Sequence, residues 1–214
     1  DIVGLNEMFG EGRSFCAQTE KLSTLTGLNN FYFAKAIDDY SGPYGNGLLS
    51  RYPFKSVETV KIPDPDPKRT EGGYYENANK GVLPDYYEGK RMFRLAEYLK
   101  AELENGYRVL VTHFGLCEDE QENAVKTVLE NIRDEKCILM GDFNANAENP
   151  EVKRLEKYLT NIASELDNKE NTFPSDDPVI CIDQIWYKGL TPISVNAVNG
   201  VYSDHRPLTA VFDI

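Results

Sequence analysis

The sequence has few positive charges for its length. Its 214 residues include 35 aspartates and glutamates but only 23 lysines and arginines, which gives a formal net charge of −12 at pH 7. A field of that sign repels phosphate backbones at long range, so it argues against a protein that binds duplex nucleic acid through bulk charge. A local site at which metal ions supply the positive charge remains open.

The sequence also lacks closely spaced cysteines and long apolar runs. Its four cysteines (Cys16, Cys117, Cys137 and Cys181) show no C-x-x-C spacing. We therefore expect buried or partly buried thiols in a reducing compartment, with a disulfide or a zinc site as the alternative. No uninterrupted apolar run is long enough to cross a bilayer. We expect a cytoplasmic monomer; because the first residue is Asp1 and not Met, a removed signal peptide is the alternative for its location.

The pattern of apolar residues predicts a strand-rich chain with a few helices. Hydrophobic residues make up 41% and charged residues 27%, as in ordinary globular proteins, and the length suits one domain with a sizeable core. Helices are predicted at residues 15–26, 118–132 and 151–159. Strands are predicted at residues 2–8, 31–37, 48–52, 54–62, 91–101, 107–113, 137–140, 179–187, 193–198 and 208–212. Residues 64–90 contain prolines, glycines and paired tyrosines and predict a long irregular loop.

Several polar side chains lie at or just after the ends of predicted strands, where a rigid sheet can hold them together in one cleft. Each has an ordinary explanation when taken alone, since a lone Glu is usually solvated, an Asp after Gly often forms a turn, and a histidine can be structural. Asp183 is harder to explain in this way because it interrupts the apolar run from Ile180 to Trp186, and a buried carboxylate must be paired or metal-bound. The set is Glu7, His113, Asp142, Asn144, Asp183, Asp204 and His205.

Taken together, these residues indicate a site for a divalent cation. They combine carboxylates, an amide and the only two histidines of the chain. Carboxylate and amide oxygens suit Mg²⁺, Mn²⁺ or Ca²⁺ better than zinc.

An ordered set of segments resembles the motifs of the endonuclease/exonuclease/phosphatase superfamily. The five main segments are DIVGLNE at 1–7, YGNGLLSRYP at 44–53, THFGL at 112–116, GDFN at 141–144 and SDHRP at 203–207. Between the last two lie TFPSD at 172–176 and IDQIW at 182–186, the latter similar to the family's Ile-Asp-Tyr-Ile-Phe pattern. No single motif is decisive, but the ordered set is specific, and it is most similar to small bacterial metal-dependent hydrolases.

The resemblance implies an α/β fold, a four-layer DNase I-like sandwich of two mixed β-sheets flanked by helices, over residues 1–214 as one domain. It also implies a phosphoesterase that uses Mg²⁺ or Mn²⁺ and a water nucleophile. Family members begin with an earlier strand, which carries an Asn close to the metal, and a helix. Neither is present in this sequence, so we expect either a truncated chain or a site that has lost a part.

The resemblance also implies a role for each candidate residue. Glu7 corresponds to the metal-binding glutamate, and Asp142 to the aspartate that orients or deprotonates the attacking water. Asn144 corresponds to the amide that holds a phosphate oxygen. Asp183 corresponds to the carboxylate that orients the last histidine, and His205 to that histidine, which contacts the phosphate.

The remaining positions are Asp204, which corresponds to a residue beside the metal, and His113, which corresponds to a second histidine found in some branches. Asn46 and Arg91 correspond to positions that line the pocket and bind substrate. The sequence departs from the family pattern at Asn6, where Gln is usual, and at Cys181, where a basic residue usually precedes Ile-Asp.

Three functions remain open from the sequence. The first is hydrolysis of a phosphodiester or phosphomonoester on a small molecule, lipid headgroup or sugar, which the acidic composition and the tyrosine-rich segment favour. The second is a nuclease acting on DNA or RNA, which needs a local basic groove. Its candidate residues are Lys68, Arg69, Lys80, Lys90, Arg91 and Arg94. The third is a non-catalytic binding protein on the same fold, against which the retained polar set argues, because a fold alone needs none of those residues.

Overall fold

The computed structural model describes residues 1–12, 15–39, 42–63, 97–132 and 136–213. The strands in these ranges are β1 (Ile2–Phe9), β2 (Asn30–Asp39), β3 (Gly42–Ser50), β4 (Phe54–Lys61), β5 (Glu97–Leu103), β6 (Arg108–His113), β7 (Cys137–Asp142), β8 (Thr160–Asn161), β9 (Asp183–Lys188), β10 (Thr191–Ala197) and β11 (Leu208–Asp213). The helices are α1 (Gln18–Thr26), α2 (Glu118–Asn131), α3 (Pro150–Lys153), a 3₁₀ turn (Arg154–Lys157) and α4 (Ile162–Glu165). The loop predicted at residues 64–90 and the start of the strand predicted at 91–101 lie outside these ranges.

A six-stranded sheet forms the centre of the fold. Its strands lie in the order β4-β5-β6-β7-β9-β8. The pair β6–β7 is parallel and the other pairs are antiparallel, so this sheet is mixed. A parallel pair needs a crossover connection, and α2 lies in the segment that joins β6 to β7.

Helices cover one face of the central sheet. Side chains alternate along β6 and β7, so Leu110 and Leu139 point to this face while Val109 and Val111 point to the other. Leu110 and Leu139 pack with Trp186 and with the apolar side of α2, including Val125 and Val128. The apolar residues whose spacing predicted α2 therefore form the side of the helix that packs on the sheet.

A second layer of strands covers the other face. The three-stranded antiparallel sheet β1-β3-β2 packs on Val109 and Val111, and the antiparallel hairpin β10–β11 packs on Ile138 and Ile185. Met140 contacts both groups, so it lies where they meet. Helix α1 packs against the three-stranded sheet, which completes four layers in the order helix, strands, strands, helix.

Several elements differ from the sequence predictions. Strand β9 begins at Asp183 and not at Val179, because residues before it turn to Phe173, which forms an isolated bridge with Ile180. The helix predicted at 151–159 is a single α-turn followed by the 3₁₀ turn. The short elements β8 and α4 were not predicted from the pattern of apolar residues.

The cysteines are thiols, and their surroundings vary. Cys137 is buried in the central sheet, and Cys117 and Cys181 are partly buried, as expected. Cys16 is exposed, contrary to expectation, because it lies in the segment before α1 and outside the apolar clusters. Within the described ranges, every helix is too short or too polar to cross a membrane.

Candidate functional site

Three neighbouring strands place a row of polar side chains at one edge of the central sheet. His113 is the last residue of β6, Asp142 is the last of β7, and Asp183 is the first of β9. The ladders pair His113 with Asp142 and Asp142 with Asp183. Because β9 runs antiparallel to β7, its first residue meets the last residue of β7. The structure therefore brings these three predicted residues side by side.

Asp142 occupies the middle of the row and is buried. Its Oδ2 lies 3.3 Å from Nε2 of His113 and 3.9 Å from Nε2 of His205. Its Oδ1 accepts a hydrogen bond from the backbone N–H of Asn144 at 2.7 Å. Burial alone would raise the pKa of Asp142, but His113, the N–H of Asn144 and His205 outweigh it and lower this pKa. Asp142 is therefore a carboxylate at neutral pH.

His205 is held against the row by Asp183. Its Nδ1 lies 2.8 Å from Oδ2 of Asp183, and its ring centroid lies 4.8 Å from that of Phe173. Burial acts to lower the pKa of His205, but the hydrogen bond to Asp183 and the charges of Asp183, Asp142 and Asp204 raise it to about 9. The imidazole is therefore a cation at neutral pH, with Nδ1 fixed by Asp183 and Nε2 directed toward Asp142.

The turn after β7 shapes the next part of the site. Gly141 has φ +143, and a Cβ at this position would lie 1.9 Å from the carbonyl oxygen of Thr112. Asn144 also has a positive φ, 49, and its Nδ2 donates to the carbonyl oxygen of Phe114 at 2.7 Å. An amide group has two N–H donors, so one N–H of Asn144 has no acceptor among the described residues and can serve a ligand. The GDFN segment thus needs its glycine for close packing and holds Asn144 beside Asp142.

His113 is almost fully buried, with 1% of its surface exposed. Neither ring nitrogen makes a hydrogen bond of good geometry with a described residue, although Nε2 lies 3.3 Å from Oδ2 of Asp142. Buried polar groups normally find partners, so an unsatisfied imidazole beside a carboxylate indicates a place for a water or ligand.

Thr172 joins the strand that carries Asp183 to the segment that carries His205. Its Oγ1 accepts from the backbone N–H groups of Ile182 at 3.4 Å and Asp183 at 3.3 Å, and its carbonyl oxygen accepts from the N–H of Arg206 at 2.8 Å. The side chain is fully buried. Its segment, TFPSD, resembles a family motif, but the resemblance implies no role for Thr172. A hydroxyl residue in a segment between two candidate motifs was the only available signal.

Glu7 lies near the end of β1 and is exposed. The ladder pairs Leu5 with Gly47 and Met8 with Gly45, so Asn6 and Glu7 together oppose Asn46 in a β-bulge. Glu7 has φ 58, which is rare for a residue with a side chain. Its neighbour Asn6 accepts a hydrogen bond from the backbone N–H of Asp142 at 3.0 Å, so this part of β1 adjoins the row.

The other predicted residues occupy different positions. Asn46 is fully buried behind Asn6, whose Nδ2 donates to its Oδ1 at 2.7 Å, and its own Nδ2 has no partner among the described residues. Asp204 is exposed, and its backbone carbonyl accepts from the N–H of Ser175. Arg91 lies outside the described residues, as do the basic residues named for a nuclease groove.

The chemistry of these residues fits a divalent cation. Ligand atoms of Asp142, Asp183 and His205 all lie within 4.8 Å of one another, and this is the metal-capable group found in the described part of the chain. Asp183 and His205 already bind each other, while Glu7 and Asp204 lie outside the group as exposed carboxylates. Carboxylate oxygens with access to water are the ligands that Mg²⁺ and Mn²⁺ prefer.

Residues 1–205 match the model of the Endonuclease/Exonuclease/phosphatase family. Among curated protein sequences, no match to the chain was found. An endonuclease/exonuclease/phosphatase family protein from Leptotrichia buccalis has a similar solved structure, with a TM-score of 0.70 and 15% identity over 100% of this chain and 87% of that one.

Two further solved structures are similar and belong to proteins named for an activity. A mannosyl-6-phosphatase from Bacteroides thetaiotaomicron gives a TM-score of 0.65 and 12% identity over 100% of this chain and 85% of that one. A 3′-5′ exonuclease from Neisseria meningitidis gives a TM-score of 0.64 and 15% identity over 100% of this chain and 90% of that one. At these identities the likeness concerns the fold, and the predicted α/β sandwich is confirmed. In the described residues the smaller strand layer is antiparallel, and only the central sheet is mixed.

Proposed function

The chain belongs to the endonuclease/exonuclease/phosphatase family, and from this premise we propose that it hydrolyses a phosphoester with a divalent cation and a water nucleophile. The observation that carries the proposal is the row His113–Asp142–Asp183 with His205 bound across it. An anionic carboxylate and a cationic imidazole 3.9 Å apart can orient a water molecule and stabilise negative charge on a phosphoryl group.

Asp142 is the residue that handles the water molecule. Its lowered pKa keeps it ionised, so it can accept a hydrogen bond from water and direct an oxygen lone pair at phosphorus. The same lowered pKa makes it a weak base. Asp142 therefore orients the water first and takes its proton only as the oxygen–phosphorus bond forms.

His205, His113 and Asn144 act on the phosphoryl oxygens. Protonated His205 donates from Nε2, while Asp183 holds Nδ1 and keeps the ring from turning. Asn144 offers its second N–H, and the imidazole of His113 offers a ring nitrogen that has no other partner in the described residues. These donors stabilise the transition state most, because negative charge develops there on the phosphoryl oxygens.

Glu7 and Asp204 are the residues proposed to hold Mg²⁺ or Mn²⁺. A bound cation would neutralise phosphate charge and stabilise the attacking or leaving oxygen. Both carboxylates are exposed, and neither side chain has a hydrogen-bond partner among the described residues, so both can take a hydrated cation. Asn46 and Arg91 stay proposals for substrate binding, with Asn46 acting from beneath the site because its side chain is buried.

The proposed substrate class is the phosphoester of a small molecule, lipid headgroup or sugar. The net charge of −12 supports it, because long nucleic acids would be repelled from most of the surface. The similarity to a mannosyl-6-phosphatase agrees with this class. A nuclease is the second candidate, and the similarity to a 3′-5′ exonuclease is the observation that favours it.

The test is a substrate panel assayed with Mg²⁺ or Mn²⁺. It contains p-nitrophenyl phosphate, bis-p-nitrophenyl phosphate, sugar 6-phosphates, phosphorylcholine and single- and double-stranded oligonucleotides. We expect hydrolysis of one of the small phosphoesters by the wild type and none by Asp142→Ala, with full activity in Asp213→Asn, which changes an exposed carboxylate of β11. Activity confined to oligonucleotides would support the nuclease. No hydrolysis by the wild type, or equal hydrolysis by Asp142→Ala, would refute the phosphoesterase and leave a binding protein.

A further inference from the structure

Asn6 connects four strands at the site through a single side chain. Its Oδ1 accepts the backbone N–H of Asp142 at 3.0 Å. Its Nδ2 donates to the carbonyl oxygen of Thr112 at 2.8 Å and to Oδ1 of Asn46 at 2.7 Å. These partners lie on β7, β6 and β3, while Asn6 itself is on β1. The amide therefore uses its acceptor and both of its donors.

These hydrogen bonds join the two strand layers. Strands β6 and β7 belong to the central sheet, and β1 and β3 belong to the three-stranded sheet that packs on it. Side chains between packed sheets are normally apolar, and those near Asn6 follow that rule, since Gly4 lies against Met140 and Val111. A polar bridge at the same interface, one residue from Glu7, needs a reason beyond packing.

The position of Asn6 in the bulge supplies that reason. A bulge changes the direction of the side chains that follow, and here it carries Glu7 at φ 58. Such a conformation persists only where the surroundings fix it. The three hydrogen bonds of Asn6 fix the residue directly before Glu7, and one of them ends on the backbone of Asp142.

We infer that Asn6 is a positioning residue that sets the place of Glu7 relative to Asp142. The inference rests on the proposed function, because it assigns the cation to Glu7 and the water to Asp142. The hydrogen bonds of Asn6 reach the backbone of Asp142 and not the carboxylates proposed to bind the cation and the water. Asn6 therefore acts by holding the backbone next to Glu7, the proposed cation ligand, against the backbone of Asp142, which orients the water.

The test compares Asn6→Ala with Asn30→Ala. Asn30 is a matched control, because it lies on β2 of the same sheet and its Nδ2 donates to the carbonyl oxygen of Ser50 at 3.2 Å, away from the site. Three quantities are measured in each variant: the Mn²⁺ dissociation constant by calorimetry, kcat and KM on the best substrate of the panel, and hydrogen exchange of the Asp142 N–H. The melting temperature of each variant measures its loss of stability.

For Asn6→Ala we expect Mn²⁺ affinity and kcat to fall about 10- to 100-fold, the range seen when a residue that orients metal ligands is removed. KM should change little, and the Asp142 N–H should exchange faster. For Asn30→Ala we expect a smaller fall in melting temperature, because its hydrogen bonds of 3.2 and 3.4 Å are longer and more exposed, with wild-type Mn²⁺ affinity and kcat. Asn6→Ser offers a hydroxyl to the carbonyl oxygens that lose their donor, so we expect smaller losses of Mn²⁺ affinity and kcat than in Asn6→Ala. This variant replaces Asn6→Ala in the test if the alanine variant does not fold.

Two results would overturn the inference while the proposed function stands. In one, Asn6→Ala keeps Mn²⁺ affinity and kcat within about twofold of the wild type, well short of the expected range. In the other, Asn30→Ala loses as much as Asn6→Ala, which would make the effect one of general stability. A wild type that binds no Mn²⁺ and hydrolyses nothing would refute the proposed function and the inference together. The two earlier results both require an active wild type that binds Mn²⁺, so the wild-type measurements distinguish the cases.

Discussion

Asp142 and Asp183 are paired across the ladder of β7 and β9, and their carboxylates reach opposite nitrogens of His205, with Nε2 at 3.9 Å from Asp142 and Nδ1 at 2.8 Å from Asp183. One imidazole thus lies between two carboxylates that belong to adjacent strands. The pairing explains why His205, which comes from a loop, can have a fixed orientation: both of its polar atoms face residues of a rigid sheet.

The first prediction concerns the charge on His205. In metal-free protein we expect His205 to titrate near pH 9, because Asp183, Asp142 and Asp204 favour its protonated form against the effect of burial. In Asp183→Asn the pKa should fall toward 6.5, the ordinary value, since the main partner loses its charge. NMR titration of the ring protons, with a chelator present, measures both values, and equal values in the two proteins would contradict the assignment.

The same shift predicts how stability depends on pH. The pKa of His205 is higher in the folded protein than its ordinary value of 6.5, so the folded state binds this proton more tightly. Its contribution to the free energy of unfolding is complete below pH 6.5 and is lost as pH rises through about 9. Denaturant unfolding at several pH values should show this loss in the wild type and not in His205→Gln.

The second prediction concerns Thr172. Replacement by Val keeps the shape but leaves the backbone N–H groups of Ile182 and Asp183 without their acceptor. An unsatisfied buried donor costs about 1–3 kcal/mol, so we expect a loss in that range in the free energy of unfolding. Because Asp183 also loses an anchor, kcat should fall about tenfold or more. Denaturant unfolding and steady-state assays measure the two effects.

Thr209→Val is the control for Thr172. Thr209 is exposed on β11, and its Oγ1 donates to the carbonyl oxygen of Asn196 at 3.1 Å, away from the site. We expect wild-type kcat and a change in stability below about 0.5 kcal/mol, as for most surface substitutions. A similar fall in kcat in both variants would remove the role assigned to Thr172.

The third prediction concerns Gly141. In Gly141→Ala the new Cβ would meet the carbonyl oxygen of Thr112 at 1.9 Å, and the residue would keep an unfavourable φ of +143. The backbone between Gly141 and Asp142 must therefore move, and we expect both a large loss of stability and a loss of activity. Gly106→Ala separates the two causes, since Gly106 has φ +86 but nothing within 4 Å of its Cβ position. The control should lose about 1 kcal/mol from backbone strain alone, measured from denaturant midpoints, and should keep its activity.

The fourth prediction concerns the cation. Excess chelator should abolish hydrolysis, and Mg²⁺ or Mn²⁺ should restore it. Glu7→Gln should raise the Mn²⁺ dissociation constant about tenfold or more while the fold is retained, because Glu7 is exposed and its removal leaves no buried charge. Glu11→Gln, an exposed carboxylate that follows β1, is the matched control. Equal Mn²⁺ affinity in the two variants would show that Glu7 is not a ligand.

The sequence predicted the strands better than it predicted what lies between them. Apolar runs located β6 and β7 to within a few residues, because both strands are buried on two faces, and His113 and Asp142 lie at the strand ends where they were predicted. Asp183 lies in the row beside Asp142, but the local reason that singled it out was wrong. It begins β9 and does not interrupt a strand, since residues before it bridge to Phe173, a contact that no local pattern encodes.

The supporting residues were beyond the reach of sequence patterns. The side chain of Asn6 bonds to residues far away in the chain, 136 positions away for Asp142, and that of Thr172 bonds across a turn to Ile182 and Asp183, 10 and 11 positions away. Their residue types are common in strands and turns, so neither type nor spacing marks them. The role of Arg91 stays a prediction, since this residue lies outside the described residues.

The edge formed by β6, β7 and β9 carries His113, Asp142 and Asp183 on backbone that the central sheet holds in place, whereas Phe173, Asp204 and His205 come from the connecting segments beside it. Connecting segments that hold no site residue tolerate replacement far more readily than paired strands do. Under the proposed function, a lineage carrying this protein could therefore exchange one phosphorylated compound for another by changing those segments alone, and the bond-breaking step would be inherited unchanged.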